Sequence, residues 1–435
     1  MGRGGRIWPA GRGGMPSGRR EPALIAGGGI GGLAAALALA RIGWPSIVAE
    51  RRSQWSDAGA GLQISPNGVR VLDRLGVAAR LEGLAARPRE IVVRDGATAR
   101  VLQRLPLGDW IEARHGAPYW QVHRRDLQMA LVSAIDDEPL ITVAMGFEAS
   151  AFEVRGEQVI LRAREGRELH GGLLVAADGV FSRLRQQLLR ARAPRCPGRR
   201  AARAVVRAVQ TADIEPLLRP DATGVWLARG AHIVHYPVRK GHELAVVVVR
   251  TASWAGQGWS QPVVAGEIEA ALAKVAPQFA QAIGSGHNWR RWALFEAEPL
   301  PHWTDGRVAL LGDCAHPTLP FLAQGGVLAL EDAATLAACL SHVESAAEIA
   351  PALAAYEAAR APRARRVVAA ARRNGKVFHL GGPAAVARNL VMRLTPGDRM
   401  MAGFDWVYGW RPPPAREPPP AADGETTSTL PDEQT

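Results

Sequence analysis

Between Ala23 and Glu50 the chain reads ALIAGGGIGGLAAALALARIGWPSIVAE, and no other stretch restricts the fold as much. A short apolar run stops at a glycine cluster. Leu33, Ala36, Leu37, Leu39 and Ala40 follow at helical spacing, Gly43 breaks the pattern, and a second apolar segment ends on Glu50. The order is strand, tight turn, helix, strand, with an acid at the tip of the second strand. Gly27, Gly29 and Gly32 fit GxGxxG, with Ile30 and Gly31 between the last two. The first glycine permits the turn, the second lets backbone approach a pyrophosphate, and the third lets helix and strand pack closely. The opening N–H groups of the helix direct partial positive charge at the phosphates. Glu50 lies 18 residues beyond Gly32, within reach of a ribose hydroxyl pair. An acid there favours an unphosphorylated adenosine ribose, as in FAD or NAD, while the adjacent Arg51 and Arg52 leave a 2′-phosphate open.

A length of 435 residues predicts two domains, or one with large insertions. The formal net charge is +12, and only Lys240, Lys274 and Lys376 are lysines, so the excess is arginine. Such charge marks a nucleic-acid or membrane-surface partner when it is organised on one face or in a known module. Here much of it falls in the first twenty residues and in Arg360–Arg373, so no nucleic-acid partner is expected; an anionic substrate would gain from the same field. Cys196, Cys314 and Cys339 are too widely spaced for a disulfide framework or a zinc site, which suits a reducing, cytoplasmic compartment and predicts no metal. Ala23–Ala40 comes closest to a membrane span, but its five glycines argue against one, and no membrane partner is expected. Residues 1–20 lack the apolar core of a secretory signal. They read as a disordered extension or an over-long start, with Met15 as an alternative beginning.

Further along, Gly59–Val77 predicts a turn at Ser65-Pro66-Asn67-Gly68 before a helix carrying Val69, Leu72 and Leu75. Short strands are expected at Ile91–Val93 and Arg100–Leu102, around the Asp95-Gly96 turn. Tyr119–Leu127 leads into a helix ending near Ile135, followed by strands at Leu140–Val143, at 151–162 around Arg155-Gly156, and at Gly172–Ala177 before Asp178-Gly179. The middle of the chain changes character. Ala204–Ala208, Gly224–Leu227, Ala231–Pro237 and Glu243–Thr251 alternate or run apolar between glycines and charged turns, an antiparallel pattern. A helix is expected over Gly266–Gln278 and a strand over Trp289–Phe295. The parallel pattern returns at Arg307–Leu311, followed by GDCAHPTLPFLAQGG and helices near Val327–Cys339, Ala350–Arg373 and Ala384–Arg393. From Arg411 onward the chain is rich in Pro, Glu and Thr and reads as disordered.

These motifs, in this order over roughly residues 22–410, resemble the group A flavoprotein aromatic monooxygenases of the para-hydroxybenzoate hydroxylase and salicylate hydroxylase type. The glycine turn with Glu50 matches their fingerprint for the ADP half of FAD, and Gly59–Val77, including Gly61, looks like their second FAD segment. His123-Arg124-Arg125-Asp126-Leu127 resembles their HRxDL segment and points to Arg124 near the cofactor. Asp178-Gly179, with Ser182 and Arg185, matches a motif tied to both FAD and NAD(P)H. Gly312-Asp313 through Pro320 matches another, whose acid accepts ribityl hydroxyls. Gln324, Gly325 and Gly326 would bring backbone N–H groups toward the flavin, and Pro320 would shape the loop beside its ring. The resemblance implies an α/β fold: a Rossmann-like FAD-binding domain with an inserted, mostly antiparallel substrate sheet and C-terminal helices. The expected division is 1–20 extension; 21–90, 119–195 and 299–350 FAD-binding; 91–118 and 196–298 substrate sheet; 351–410 helices; 411–435 tail.

It also implies non-covalent FAD, NADH or NADPH as reductant, O₂, and a small aromatic substrate hydroxylated through a flavin C4a-hydroperoxide, in a monomer or homodimer. A related oxidoreductase of non-aromatic substrates is the alternative. A phenolic ring reacts faster when its hydroxyl is ionised or strongly hydrogen-bonded, which calls for a histidine or tyrosine beside it. The segment AHIVHYPVRKG supplies His232, His235 and Tyr236. In a regular strand His232 and Val234 share a face and His235 takes the other. The resemblance favours His235 and Tyr236 as the catalytic pair, with Arg229 or Arg239 available for a carboxylate and Trp226, Trp289 and Trp292 near the ring. His316 is read as shaping its loop, and Cys314 as packing.

Overall fold

The computed structural model describes residues 20–55, 60–190, 199–207, 219, 221–251, 260–263, 289–296 and 298–416, with Gly266, Ile268 and Leu272. Met15 and nearly all of the N-terminal extension, Gly59, Cys196, most of the helix expected over Gly266–Gln278 and the tail beyond residue 416 lie outside the described residues.

Ala23–Ala26 is fully buried at the centre of a six-stranded sheet. Its order is Thr304–Asp305, Val308–Leu310, Leu173–Ala176, Ala23–Ala26, Ser46–Glu50, Ile141–Met145. Every pairing is parallel except the outermost, between Thr304–Asp305 and Val308–Leu310. Unbroken apolar strands of this kind need cover on both faces. The helix Ile30–Ala40 supplies part of it and, being apolar all round, is itself buried on nearly every side. A Cβ on Gly31 would stand 3.1 Å from the Cβ of Ala329, so glycine lets this helix approach Gly325–Leu340 closely.

The second sheet has eight strands, ordered Ser260–Pro262, Arg290–Ala293, Arg199–Arg207, Glu243–Thr251, Ala231–Val238, Ala222–Ala228, Glu90–Asp95, Val101–Pro106. Its neighbours are antiparallel except Ala222–Ala228 with Glu90–Asp95. The central hairpin turns at Arg229-Gly230, where Gly230 takes a φ of 71° that favours glycine. One smaller sheet, Ala149–Arg155, Gln158–Ala163 and Glu168–Gly171, adds a third strand to the hairpin expected around Gly156. Another pairs Gly61–Ile64 with Trp120–His123.

The helix Gly108–His115 was not legible, because its mostly polar sequence buries little beyond Ile111; Gly116, with φ 71°, ends it. The C-terminal part consists of Ile349–Phe378, Gly382–Leu394, Gly397–Ala402 and Asp405–Tyr408. Residues 411–416, expected in the disordered tail, run along the protein: Arg74 donates to the Pro413 carbonyl, and the Arg416 N–H donates to Ser341 Oγ at 3.1 Å. Among the described residues no helix is long and apolar enough to cross a membrane.

Candidate active site

Gly27 takes a φ of +117°, a region that side chains avoid, and a Cβ on Gly32 would stand 1.9 Å from its carbonyl oxygen. These two glycines therefore serve packing. Gly29 differs: a Cβ there would meet nothing within 4 Å, so this backbone faces open space. The first helical bond runs from the Leu33 N–H to the Gly29 carbonyl, which leaves the Ile30, Gly31 and Gly32 N–H groups without a preceding turn to donate to. No side chain caps the helix and no acid lies in its first turn. Glu50 is buried at the strand tip, its Oε2 accepting from the Gly28 N–H at 3.0 Å and its Oε1 from the Arg52 N–H at 2.9 Å. Each carboxylate oxygen retains a lone pair for a ribose hydroxyl. Arg51 is exposed beside it.

A second strand end faces the same space. Leu310 leads through Leu311 into Gly312, with φ 64°, and then Asp313. The Asp313 side chain is open to solvent yet deep among protein atoms, as expected in a cleft. That burial pushes its carboxyl above the usual range, opposed by the charges of His316 and Arg124. Arg124 opens the helix Arg124–Asp136, its N–H donating to the Ala60 carbonyl at 2.9 Å. Gln324 precedes the helix Gly325–Leu340, whose start also lacks a side-chain cap and an acid. A Cβ on Gly326 would lie 3.5 Å from Leu62 and 4.0 Å from Ile30. Two helix N-termini, the strand Gly61–Ile64 and the carboxylates Glu50 and Asp313 thus surround one cleft. A dinucleotide fits these donors and acceptors: anionic phosphate at the helix ends, hydroxyls at the two acids.

Asp178 sits behind this cleft. Burial raises its carboxyl, while hydrogen bonds from Ser182 and Cys314 oppose the rise. Arg185, almost fully buried, donates to the Cys314 carbonyl at 3.2 Å and the Val180 carbonyl at 2.8 Å, joining the Asp178 and Asp313 loops. Pro320 opens the short turn Pro320–Leu322, which presents Phe321 to the eight-stranded sheet.

On that sheet Tyr236 and His232 face the cleft. A Cβ on Gly61 would lie 2.5 Å from the Tyr236 ring and 2.8 Å from its hydroxyl, so glycine lets the cofactor-side strand rest on this tyrosine. The His232 ring lies 5.3 Å from those of both Phe321 and Phe378. Its Nδ1 is 2.8 Å from Nε2 of His379. The expected pairing of His235 with Tyr236 is not met. The register through Ala231–Val238 is unbroken, and adjacent residues of a regular strand point to opposite faces. His235 lies over Gly224, where a Cβ would come within 1.8 Å of its Nε2, and beside Trp226 at 6.4 Å. Burial, and then the charge of Arg94, lower its pKa to about 3, so the ring is neutral. Trp226 is buried on this rear face. Arg239 is engaged by Asp126 at 3.0 and 3.1 Å and by Glu243 at 3.0 Å, and Arg229 is exposed at the hairpin turn.

The family described as FAD binding domain matches residues 20–371. The chain is 33% identical over 389 residues to a 3-hydroxybenzoate 6-hydroxylase of Polaromonas naphthalenivorans (strain CJ2), covering 89% of this chain and 96% of that protein. It is 35% identical over 400 residues to the 3-amino-4-hydroxybenzoate 2-monooxygenase PtmB3 of Streptomyces platensis, covering 92% and 98%. The chain belongs to the group A FAD-dependent aromatic monooxygenases. Among solved structures, Klebsiella pneumoniae HpxO complexed with FAD and uric acid superposes with a TM-score of 0.78 at 27% identity, covering 89% of this chain and 96% of that one. A salicylate hydroxylase substrate complex, at 22% identity, shares the fold with a TM-score of 0.77 over 91% and 96%.

Beneath the cofactor cleft this monooxygenase carries a buried ionic network that the motifs did not reveal. Glu331 and Asp332 stand together in the alanine-rich helix, both fully buried. Arg360 donates to Glu331 Oε2 and Asp332 Oδ1, each at 2.7 Å, and Arg363 donates to Glu331 Oε2 at 2.6 Å. Asp332 Oδ2 accepts from the Gly312 N–H at 3.0 Å and meets His316 Nε2 at 2.5 Å. Burial alone would raise Asp332, but His316 and Arg360 bring its pKa down to about 2. Asn67 links Glu331 at 2.7 Å to Gln324 at 3.1 Å, and Gln324 donates to Ser65 at 2.9 Å. The Gln324 side chain is therefore turned into the protein, while Trp410 covers the guanidinium of Arg360 at 5.4 Å. The available signal was an adjacent acid pair inside an apolar helix, with arginines in a second helix to match it.

Proposed function

We propose that this monooxygenase hydroxylates the ring of a small phenolic acid of the hydroxybenzoate class, using NADH or NADPH and O₂. One observation carries the reading: His232 and Tyr236 share the sheet face that meets the cofactor loops, through Phe321 and Gly61. Two relatives carry hydroxybenzoate-type names, and a net charge of +12 favours an anionic acid. Non-covalent FAD, when bound, supplies the reduction and oxygen chemistry. The chain's own part is to hold and orient. Gly27, Gly29, Ile30, Gly31 and Gly32 take the pyrophosphate, Glu50 the adenosine ribose with Arg51 at its rim, and Asp313 the ribityl hydroxyls. Gly61, Arg124, Asp178, Gly312, Gln324, Gly325 and Gly326 form the remaining wall, with Gln324 contributing backbone. His232 accepts the phenolic proton at Nε2, which raises ring electron density, while Tyr236 hydrogen-bonds the substrate and Pro320 shapes the loop beside it. The protein is placed in the cytoplasm, as a monomer or homodimer, with the domain division given above; light scattering decides the oligomer.

The test is turnover of 3-hydroxybenzoate, 3-amino-4-hydroxybenzoate and salicylate, following NAD(P)H and ring product together. Reductant oxidation matched only by hydrogen peroxide for every phenolic acid would overturn the reading. Independently, Asp313→Ala is expected to weaken FAD binding at least about tenfold, roughly 1.4 kcal/mol, measured by flavin fluorescence titration. An unchanged Kd would remove Asp313 from the cofactor site.

A further inference from the structure

We propose that His379 carries the substrate's phenolic proton away from His232, so that the two imidazoles form a relay from the enclosed site to solvent; this step rests on the assignment of His232 above. The contact is direct. Nδ1 of His232 and Nε2 of His379 lie 2.8 Å apart, with ring centroids 5.0 Å apart and planes inclined at 43°. The residues come from distant parts of the chain, a central strand and the C-terminal end of the helix Ile349–Phe378. His232 is only 2% exposed and is walled by Phe321 and Phe378, whereas His379 is half-buried. An imidazolium held among apolar rings is costly, so a proton accepted by His232 has to move on.

The chain beyond His379 shows where it goes. Leu380, Gly381 and Gly382 line an open cavity of about 500 Å³. Gly230, on its opposite wall, donates its N–H to the His379 carbonyl at 3.2 Å. The charged groups lining this cavity are Arg229, Arg250, Arg388 and Asp95. Their positive balance disfavours a proton resting on His379 and favours its release to water. The transfer conserves protons and involves no oxidation. The phenol O–H bond breaks as His232 Nε2 gains a proton, His232 Nδ1 passes its own to His379 Nε2, and His379 Nδ1 releases one to the cavity. Each imidazole ends neutral in its other tautomer, and the substrate remains as phenolate.

Histidine-ring ¹⁵N NMR of the holoenzyme, assigned with His232→Gln and His379→Gln, tests the pairing without turnover. The relay requires the two rings to titrate as a coupled pair, and His379→Gln to change the tautomer balance of His232. Two rings that titrate independently would overturn it. The kinetic arm uses 3-hydroxybenzoate in single-turnover hydroxylation. Glutamine at 379 can still hydrogen-bond His232 Nδ1 but cannot pass a proton, so substrate affinity should stay within about twofold while the rate falls about tenfold or more. His379→Ala should lose a similar amount and recover with added imidazole, which the cavity admits; wild type and His232→Ala should show no such gain. A His379→Gln rate equal to wild type, or no recovery of His379→Ala, counts against the relay. If wild type does not hydroxylate 3-hydroxybenzoate, the choice of that acid as substrate fails separately, and the NMR result still decides the relay.

Discussion

The cofactor cleft and the substrate-facing sheet solve different physical problems. The cleft is built mostly from backbone: glycines that allow close approach, two uncapped helix starts and two carboxylates, held by an ion network below. Its specificity is local and survives changes in the surrounding side chains. The sheet works through side chains whose direction depends on strand register. There a displacement by one residue exchanges His232 for His235, and with it an aromatic-walled site for a buried rear face. Backbone recognition tolerates little change at the glycines. Side-chain recognition tolerates little change in register.

Substitutions can set the two regions against each other. The largest effect is expected at Gly32, where a valine would place Cβ 1.9 Å from the Gly27 carbonyl oxygen. Gly32→Val should yield little folded, FAD-bearing protein, whereas Gly29→Ala, which meets nothing within 4 Å, should fold normally and lose only cofactor affinity. Flavin-to-protein absorbance and thermal unfolding check both, and a yellow, stable Gly32→Val would break the account of the turn. On the sheet, His232→Ala should lower coupled hydroxylation about 10²–10⁴-fold. His235→Leu should leave the rate within about threefold and act on stability alone, as expected for a residue away from the site. Equal losses in product formation from the two variants would refute the register argument.

The network beneath the cleft should come next. Arg360→Met leaves Glu331 short of a partner and Asp332 with a buried charge, at a cost of about 3–5 kcal/mol in denaturant unfolding. A loss under about 1 kcal/mol would mean that the acids are neutral or hydrated. The smallest effect is in pH dependence. The folded pKa of His235, about 3, lies below its ordinary 6.5, so between these values the unfolded chain binds the proton and the folded chain does not. Its contribution is complete above about pH 6.5 and declines toward pH 3, by at most about 1.4 kcal/mol per pH unit. Asp332, about 2 against 3.8, adds a further loss as pH falls through that lower window. Denaturant titrations at pH 7, 5.5 and 4.5 should show this slope in wild type and a shallower one in His235→Leu.

The strand–turn–helix–strand unit, the Asp313 loop and the antiparallel insertion were all legible along the chain, because each depends on residues close together in sequence. Glycine spacing determines backbone conformation within a few residues, and an alternating apolar pattern needs only one strand to declare itself. Where those patterns were weak, as in Gly108–His115, the helix was held by Ile111 and a terminating glycine rather than by periodicity. The pairing of His232 with His379 spans 147 positions, and that of Arg360 with Asp332 joins two helices. Neither leaves a local trace. The sequence by itself determined the FAD-binding turn and the family, because backbone geometry and motif order are properties of contiguous residues. Only the tertiary structure decided which histidine faces the cleft and what stands behind it, because that depends on which element packs over which face of the sheet.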